Sequence, residues 1–278
     1  MIRPSLGGKS RMTPETLLQH IDKGNLWPEE SLASIPADAA QAYQTALQVR
    51  QLRVARGEEP RGFKIGFTNR SIWDRYQVFE PIWGTVWDTT LSIANEVGEC
   101  SVDISRMCQP RLEPELVFGM RCTPPADVTV QSLFESIEWM SSGFEVVQSH
   151  AADWKFKVAD TVIDSGLHAH LVVGKSVQVA DVASSGQDLH AMLAGMSLAL
   201  MQAGQSMEKG AASNVLDSPL MALLHFIKAL RNCPGAPDVQ AGDVITTGTW
   251  TDAWPLDAGQ VWQSQYQLPL SGLTLKVV

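Results

Sequence analysis

The sequence predicts an α+β protein in which a helical N-terminal segment, residues 1–60, precedes a β-rich body, residues 61–278. The first segment carries capping residues followed by apolar residues at helical spacing. The second carries short stretches in which apolar and polar residues alternate, separated by Gly and Pro turns. Hydrophobic residues make up 45% of the 278-residue chain, which is sufficient for a core in one large domain or two smaller ones. The stretch 57–61 is the nearest feature to a boundary between the two parts.

Helix signals occur at both ends of the chain. Thr13 is a candidate N-cap with Pro14 at the first helical position, which predicts a helix over residues 13–23. Pro36 and Asp38 predict the start of a longer amphipathic helix that ends near residue 56. Ser218 followed by Pro219 predicts a third helix to about residue 230.

Period-two alternation predicts strands in the body. Phe63, Ile65 and Phe67 share one face of such a strand, so Lys64 points away from it. Further strands are predicted over residues 111–118, 144–147, 158–163, 167–173, 244–247, 261–267 and 273–278. A helix is predicted over residues 129–141, ended by Gly143, and periodicity alone does not separate helix from strand over residues 189–201.

Composition excludes several classes of function. The formal net charge is −9 and no cluster of Lys and Arg is present, which argues against nucleic acid as a partner. No stretch approaches the roughly 18–20 apolar residues of a membrane span, and the polar N-terminus lacks the apolar region of a secretory signal. We therefore expect a cytoplasmic protein with reduced cysteines, because none of the four Cys residues forms a C-x-x-C pair.

Two acidic residues on one strand are the sharpest chemical feature. Glu113 and Glu115 are two residues apart, so both carboxylates project from the same face. Two such charges repel one another unless a cation lies between them, and Mg²⁺ prefers carboxylate oxygens. The simpler interpretation is an exposed polar face of a strand. Glu145 strengthens the metal hypothesis, because an isolated acid within an apolar run is paired, protonated or metal-bound.

Other residues are weaker candidates. Lys64 lies between Gly62 and Gly66, where a ligand could approach closely and a lysine could bind an anion or transfer a proton. The alternative is a surface lysine. His168 and His170 share one face by the period-two rule, although such a pair is more often ordinary strand polarity. Trp73, Trp83 and Trp87 fall close together and either pack under a loop or line an apolar pocket.

Several motifs, in order, resemble those of the 2-hydroxypenta-2,4-dienoate (2-keto-4-pentenoate) hydratases. These are grouped with the 4-oxalocrotonate decarboxylases in the fumarylacetoacetate hydrolase superfamily. The segment Gly62–Thr68 is similar to the family's G-x-K-x-G-x-T motif, and Pro110–Glu115 is similar to its P-R-x-E-x-E signature. The resemblance covers residues 61–278 and continues through the segments 81–85, 144–147, 154, 160–164 and 242–248.

The resemblance implies a mixed β-roll with a helical N-terminal part and a site for Mg²⁺ or Mn²⁺ held by Glu113, Glu115 and Glu145. The metal would act as a Lewis acid on a small-molecule 2-oxo acid, giving a hydratase of 2-hydroxydienoates in aromatic-compound catabolism. Lys64 matches the motif lysine and is a catalytic candidate. The matched motifs also suggest five substrate-binding residues: Trp83, Thr85, Asp160, Thr247 and Gly248.

Two departures from the family pattern leave the reaction open. Ile82 stands where the hydratases usually carry an aspartate, and Leu167 falls near a position that is often a hydroxyl. His168 and Lys157 are candidate substitutes for the lost catalytic groups. The alternatives to hydration are decarboxylation of a 2-oxo acid, C–C hydrolysis, or a non-catalytic subunit that binds a 2-oxo acid. The resemblance also suggests a homo-oligomer, with a complex between this chain and a sister enzyme as the alternative.

Overall fold

A computed structural model of the chain describes residues 11–76 and 78–278. The first ten residues of the predicted N-terminal segment therefore lie outside the described residues. Among the described residues, none of the helices combines the length and the apolar character that a bilayer crossing requires.

Helices begin at the capping residues that the sequence suggested. Thr13 accepts a hydrogen bond from the backbone N–H of Thr16 at the start of the first helix, and Asp38 does the same for Gln41 at the start of the second. The α-helices within the described ranges are α1 (Pro14–Lys23), α2 (Ala39–Ala55), α3 (Trp73–Tyr76), α4 (Val130–Ser136), α5 (Val158–Ile163), α6 (Gly186–Ala194) and α7 (Pro219–Asn232).

Fourteen strands in the described part of the chain form two sheets. They are β1 (Pro60–Gly66), β2 (Ile82–Trp87), β3 (Leu91–Ile93), β4 (Glu99–Val102), β5 (Arg111–Met120), β6 (Ile137–Val147), β7 (His168–Val173), β8 (Val177–Gln178), β9 (Ser197–Gln202), β10 (Gln205–Ala211), β11 (Val244–Thr246), β12 (Trp254–Pro255), β13 (Val261–Tyr266) and β14 (Leu273–Val277). The larger sheet has the order β2-β1-β11-β5-β6-β7-β3, with β12 on β5 and β8 on β6. The smaller sheet has the order β10-β9-β13-β14-β4.

The main core lies between one face of the larger sheet and the smaller sheet, and α6 and α7 close it. Leu116 and Phe144 of the larger sheet, Leu200 and Trp262 of the smaller sheet, and Phe226 of α7 belong to this one cluster of buried side chains. The opposite face of the larger sheet carries the polar residues of the candidate site. Parallel and antiparallel strand pairs both occur in the sheets. The architecture is therefore the mixed α+β fold that the sequence predicted.

The N-terminal helices pack on the body through a second apolar cluster. Leu17 of α1, Ala42 and Val49 of α2, and Val162 of α5 belong to it, together with Ile82 at the start of β2. The division at residue 60 stays a prediction, since this cluster spans both sides of it.

Two predicted elements are wrong, and both errors involve short segments in which apolar and polar residues are mixed. Residues 158–163 form helix α5 instead of a strand. The Asp160 carboxylate accepts a hydrogen bond from the Lys157 backbone N–H, 2.7 Å away, at the helix start, and Ala159, Val162 and Ile163 follow helical spacing on its buried side. Residues 137–141, predicted as helix, begin the long strand β6.

The physical reason for the second error is strand pairing. β6 pairs with β5 along its whole length, from Ile137 opposite Met120 to Val147 opposite Arg111, and Gly143 lies inside the strand instead of ending a helix. The ambiguous segment 189–201 resolves into both structures, helix α6 to Ala194 and strand β9 from Ser197.

Candidate active site and metal centre

Three carboxylates meet where β5 and β6 pair. Glu113 lies directly opposite Glu145 across the two strands, and Glu115 lies opposite Gly143. One carboxylate oxygen from each of the three glutamates lies within 4.8 Å of the others. Glu115 and Glu145 are fully buried, which excludes an exposed polar strand face.

Glu115 is held by the backbone of the segment that follows β11. Its Oε2 accepts hydrogen bonds from the N–H groups of Thr247, 3.0 Å away, and Gly248, 2.7 Å away. Its Oε1 is buried without a hydrogen-bond partner among the described residues. A buried carboxylate oxygen without a donor is costly, so this oxygen fits a cation placed between the three carboxylates.

Glu145 is held from both sides. Its Oε1 lies 2.9 Å from His168 Nδ1. Its Oε2 lies 3.6 Å from Lys64 Nζ and accepts a long hydrogen bond of 3.4 Å from the Thr246 hydroxyl. Together with Glu113, which lines the adjacent cavity, the trio offers oxygen ligands of the kind that hard divalent cations bind.

Three carboxyl groups at close range favour the binding of a positive ion. Burial raises the pKa of Glu113 to about 7; attraction to Lys64 opposes this shift and repulsion from Glu145 adds to it. Burial, and then repulsion from Glu145 and Glu113, raises the pKa of Glu115 well above its usual range. Burial lowers the pKa of Lys64, but attraction to Glu145, Glu113 and Glu115 outweighs it, so the net shift is upward. Burial also lowers the pKa of His168, against the opposing effect of Glu145.

A turn with three successive left-handed residues positions Lys64. Ser165, Gly166 and Leu167 have φ values of 58°, 66° and 67°, and the Gly166 carbonyl accepts a 2.8 Å hydrogen bond from Lys64 Nζ. The turn lies against Gly84 of β2: a Cβ atom added at Gly84 would lie 1.9 Å from the Ser165 carbonyl oxygen. Lys64 is 2% exposed, and its ammonium group is fixed at the cavity wall.

A cavity of about 410 Å³ opens above the trio. Lys64, Glu113, Arg111 and Gly248 supply polar groups to its wall, and Asp252 lies at the same wall. The apolar part of the wall consists of Ile65, Phe67, Ile72, Ile82, Val147, Trp154, Phe156, Leu167 and Ala253. Four further polar residues line the cavity: Thr68, Asn69, Thr249 and Thr251. A cavity that combines apolar wall with convergent polar groups is typical of a small-molecule site.

Sequence comparison with characterised proteins identifies the family. The chain is 32% identical to 2-hydroxyhexa-2,4-dienoate hydratase of Comamonas testosteroni over 220 residues, which cover 78% of each chain. The chain belongs to the 2-keto-4-pentenoate hydratase and 4-oxalocrotonate decarboxylase family. It is also 26% identical to 4-oxalocrotonate decarboxylase of a Pseudomonas species, over 81% of this chain and 83% of that one. A scan against protein-family models finds no match.

Solved structures related to this family share the fold. The 4-oxalocrotonate decarboxylase of Pseudomonas putida G7, complexed with magnesium and adipate, superposes with a TM-score of 0.84 at 21% identity, over 95% of each chain. The fumarylpyruvate hydrolase of Pseudomonas aeruginosa, in complex with Mn²⁺ and pyruvate, superposes with a TM-score of 0.58 at 13% identity, over 78% of this chain and 89% of that one. The fold is therefore that of the fumarylacetoacetate hydrolase superfamily.

Within this family fold, four of the residues suggested by motif resemblance lie away from the cavity wall. Trp83 stacks on Tyr43 with ring centroids 4.6 Å apart, and Thr85 lies on the same side of β2, against α2. Asp160 caps α5, and Lys157 is exposed at the start of that helix. Thr247 and Gly248, by contrast, contact Glu115 through their backbone N–H groups.

The two histidines do not share a face, contrary to the prediction. A β-bulge pairs His168 with Val147 and His170 with Val146, and neighbouring residues on β6 point to opposite faces. His168 contacts Glu145, whereas His170 Nε2 lies 2.9 Å from Ser92 Oγ. A bulge inserts one residue into the alternation, and nothing in the local sequence signals it.

Sequence reasoning missed three groups of the site. The Gly166 carbonyl holds Lys64, and Thr90 Oγ1 lies 2.9 Å from His168 Nε2. The Tyr266 hydroxyl of β13 donates to the backbone carbonyls of Glu115, at 2.7 Å, and Gly143, at 3.3 Å. Only the tyrosine carried any signal, since a Tyr on a core strand requires a partner for its hydroxyl.

Proposed function

We propose that this chain is a divalent-metal-dependent hydratase that converts a 2-hydroxy-2,4-dienoate into a 4-hydroxy-2-oxo acid. The observation that carries the proposal is the carboxylate trio within 4.8 Å at the base of the cavity, with one buried oxygen of Glu115 lacking a hydrogen-bond donor. Mg²⁺ or Mn²⁺ is the proposed cofactor, because both prefer oxygen ligands. Membership of a family that contains named hydratases supports the same assignment.

A bound cation would supply Lewis-acid polarisation of the C2 oxygen of the substrate. Lys64 is the proposed proton donor. Its ammonium group is held by the Gly166 carbonyl and Glu145, and the nearby carboxylates favour its protonated form. In the proposed sequence the dienol gains a proton at its terminal carbon and loses its enol proton, and water then adds across the remaining conjugated double bond.

Two further residues suggested by the motifs are not assigned a proton-transfer role. His168 is turned toward Glu145 and does not line the cavity. Lys157 is exposed and lies outside the cavity wall. Proton transfer requires hydrogen-bond reach to the reacting atom, and among these three residues only Lys64 lines the cavity.

The apolar part of the wall supports a substrate with an alkyl substituent. Phe67, Ile72 and Ile82 supply apolar surface to the cavity, and Phe156 packs near Phe67 with ring centroids 6.5 Å apart. An apolar wall favours each buried methylene group by about 0.8 kcal/mol. We therefore propose that a six-carbon dienoate is preferred over the five-carbon one.

The test is a turnover assay on purified protein that has been stripped of metal and reloaded with Mg²⁺ or Mn²⁺. The substrates are 2-hydroxypenta-2,4-dienoate and 2-hydroxyhexa-2,4-dienoate, followed by loss of ultraviolet absorbance and by product mass in H₂¹⁸O. The expected product contains one added water with the ¹⁸O label, and E115Q protein is the matched control without turnover. Metal-independent turnover, or its absence with both substrates, would contradict the proposal.

One observation favours decarboxylation as a second candidate. A Cβ atom added at Gly66 would lie 3.3 Å from Ile82 Cγ1 and 3.4 Å from Lys64 Nζ, so an alkyl group lies beside the ammonium group. Loss of CO₂ leaves its electron pair on the conjugated oxo acid and requires a proton donor but no base that activates water. Release of CO₂ from 2-oxohex-3-enedioate would support this candidate, and I82D protein should release less of it and hydrate more dienoate.

The cellular setting is also proposed. We infer a cytoplasmic enzyme that acts on a small-molecule 2-oxo acid and assembles as a homo-oligomer, with a hetero-complex with a sister enzyme as the alternative. Light scattering coupled to gel filtration measures the mass of the assembly: a multiple of 30.3 kDa supports a homo-oligomer, and a monomer contradicts it.

A further inference from the structure

Two histidine–hydroxyl pairs lie next to one another where β7 pairs with β3. His168 Nε2 lies 2.9 Å from Thr90 Oγ1, and His170 Nε2 lies 2.9 Å from Ser92 Oγ. The pairs differ at the other ring nitrogen. His168 Nδ1 lies 2.9 Å from Glu145 Oε1, whereas His170 Nδ1 has no hydrogen-bond partner among the residues that the structure describes.

The hydrogen-bond partners of Thr90 favour one tautomer of His168. Thr90 Oγ1 accepts a hydrogen bond from the Trp87 backbone N–H at 3.1 Å. Its own hydrogen has two acceptors within reach, His168 Nε2 at 2.9 Å and the Trp87 carbonyl at 3.4 Å. The nearer acceptor is the better one. A neutral imidazole that accepts at Nε2 carries its hydrogen on Nδ1, from which it donates to Glu145.

This arrangement fixes one carboxylate oxygen of Glu145 and directs the other toward the candidate metal site. With Oε1 held by His168, Oε2 lies on the side of Lys64. His168 is buried and does not line the cavity. A group that donates a hydrogen bond to a metal-binding carboxylate, on the side away from the metal, sets the orientation of that carboxylate.

We propose that His168, as the Nδ1–H tautomer set by Thr90, is a positioning residue that orients Glu145 toward the cation. The inference rests on the proposed metal function. His170 and Ser92 form a neighbouring pair of the same chemistry without a carboxylate partner, and they have no part in cation binding.

The first test measures Mn²⁺ affinity of metal-stripped protein by titration calorimetry, without substrate. In H168Q protein the amide nitrogen occupies the position of Nε2, so the donor to Glu145 is lost, and the affinity should fall about 10–100-fold. In H168N protein the amide nitrogen occupies the position of Nδ1, so this variant should lose less affinity than H168Q. T90V protein should lose about tenfold, the lower end of the same range.

The matched controls are H170Q and S92A, which should bind Mn²⁺ with unchanged affinity. Equal affinity in H168Q, T90V and wild-type protein would overturn the positioning role, and so would losses of the same size in the control variants. Failure of the wild-type protein to bind Mn²⁺ at all would instead contradict the proposed metal function, which keeps the two failures distinct.

The second test needs no variant that could fail to fold. In metal-free protein with ¹⁵N-labelled histidine, the ring ¹⁵N shifts and ring-proton couplings of His168 report which nitrogen is protonated. A hydrogen on Nδ1 alone is the expected result. A hydrogen on Nε2, or on both nitrogens, in the wild-type protein would overturn the assigned tautomer.

Discussion

The two faces of the larger sheet are built from the same strands and have opposite character. On one face Ile65, Leu116 and Phe144 are fully buried in the core against the smaller sheet. On the other face their immediate chain neighbours Lys64, Glu115 and Glu145 are almost as buried. Apolar burial favours the folded state, whereas buried like charges oppose it. The comparison teaches that the polar face is retained for binding and that the apolar face supports its stability.

The largest expected effect comes from neutralising the polar face. E115Q or E145Q protein should lose Mn²⁺ affinity by more than the roughly 10–100-fold that follows loss of an outer-shell partner, and turnover with it. Without metal, E115Q protein should unfold at the same temperature as wild-type protein or a higher one, because burial raises the pKa of Glu115 and favours its neutral form, which the amide resembles. Calorimetric titration and thermal unfolding measure the two quantities, and a large loss of metal-free stability would break the comparison.

Truncating a side chain on the apolar face should lower the stability of the fold and leave metal affinity unchanged. Phe118 of β5 is fully buried in the main core, and F118A should lower the free energy of unfolding by about 3–5 kcal/mol through lost burial and the cavity left behind. Urea denaturation measures this loss. Mn²⁺ affinity of the folded fraction should stay close to that of wild-type protein, and a loss as large as that in E115Q would show that the two faces are not separable.

A pH series sharpens the comparison further. The pKa of Glu113 is raised to about 7, mainly by burial, so its protonated form is favoured in the folded state. This contribution to metal-free stability is present below about pH 4.5, the ordinary value, and is lost as pH rises through 7. The melting temperature of metal-free protein should therefore fall between pH 5 and about 8, whereas Mn²⁺ affinity should rise over the same range. E113Q protein, which cannot titrate there, should show a flatter stability profile.

The smallest expected effect lies at the link between the two sheets. Y266F removes a hydroxyl that donates to the backbone carbonyls of Glu115 and Gly143. The loss should be about 0.5–1.5 kcal/mol of folding free energy, with a modest decrease in Mn²⁺ affinity because β5 and β6 carry all three carboxylates. Denaturation and calorimetric titration again measure both values. Y43F, which removes a tyrosine hydroxyl that accepts a hydrogen bond from the Trp83 backbone N–H at 3.0 Å, serves as the control, and an equal loss of metal affinity there would contradict the link.

How far the sequence predicts the site depends on how local each contact is. Alternation along one strand places Glu113 and Glu115 on the face away from Leu116, and the structure agrees. Glu145 is a candidate as an isolated acid in an apolar run, but it reaches the other two carboxylates only through the register of β5 against β6, which depends on contacts distant in sequence. The resemblance to the family strengthens this grouping of three residues. The bulge that separates His168 from His170 and the carbonyl that holds Lys64 have no sequence pattern of their own.

The fold errors have the same origin. Residues 158–163 form a six-residue segment with apolar residues at both ends, whose length suits a strand or a helix. The helix results because its apolar side packs against α1 and α2. Residues 137–141 contain helix-compatible residues, but the pairing of β6 with β5 outweighs their local preference. Longer segments with capping residues, such as α2 and α7, were predicted close to their observed bounds.

The contact between Gly84 and the turn at residues 165–167 restricts how the protein can diverge. A side chain at Gly84 would collide with the Ser165 carbonyl, and a side chain at Gly166 would lie 2.9 Å from the Gly84 backbone nitrogen. Neither glycine can therefore be replaced alone, because the backbones of the two segments are in contact and leave no room for a side chain at either position. An exchange of active-site loops between this enzyme and a relative should succeed only when β2 and the 165–167 turn are transplanted together.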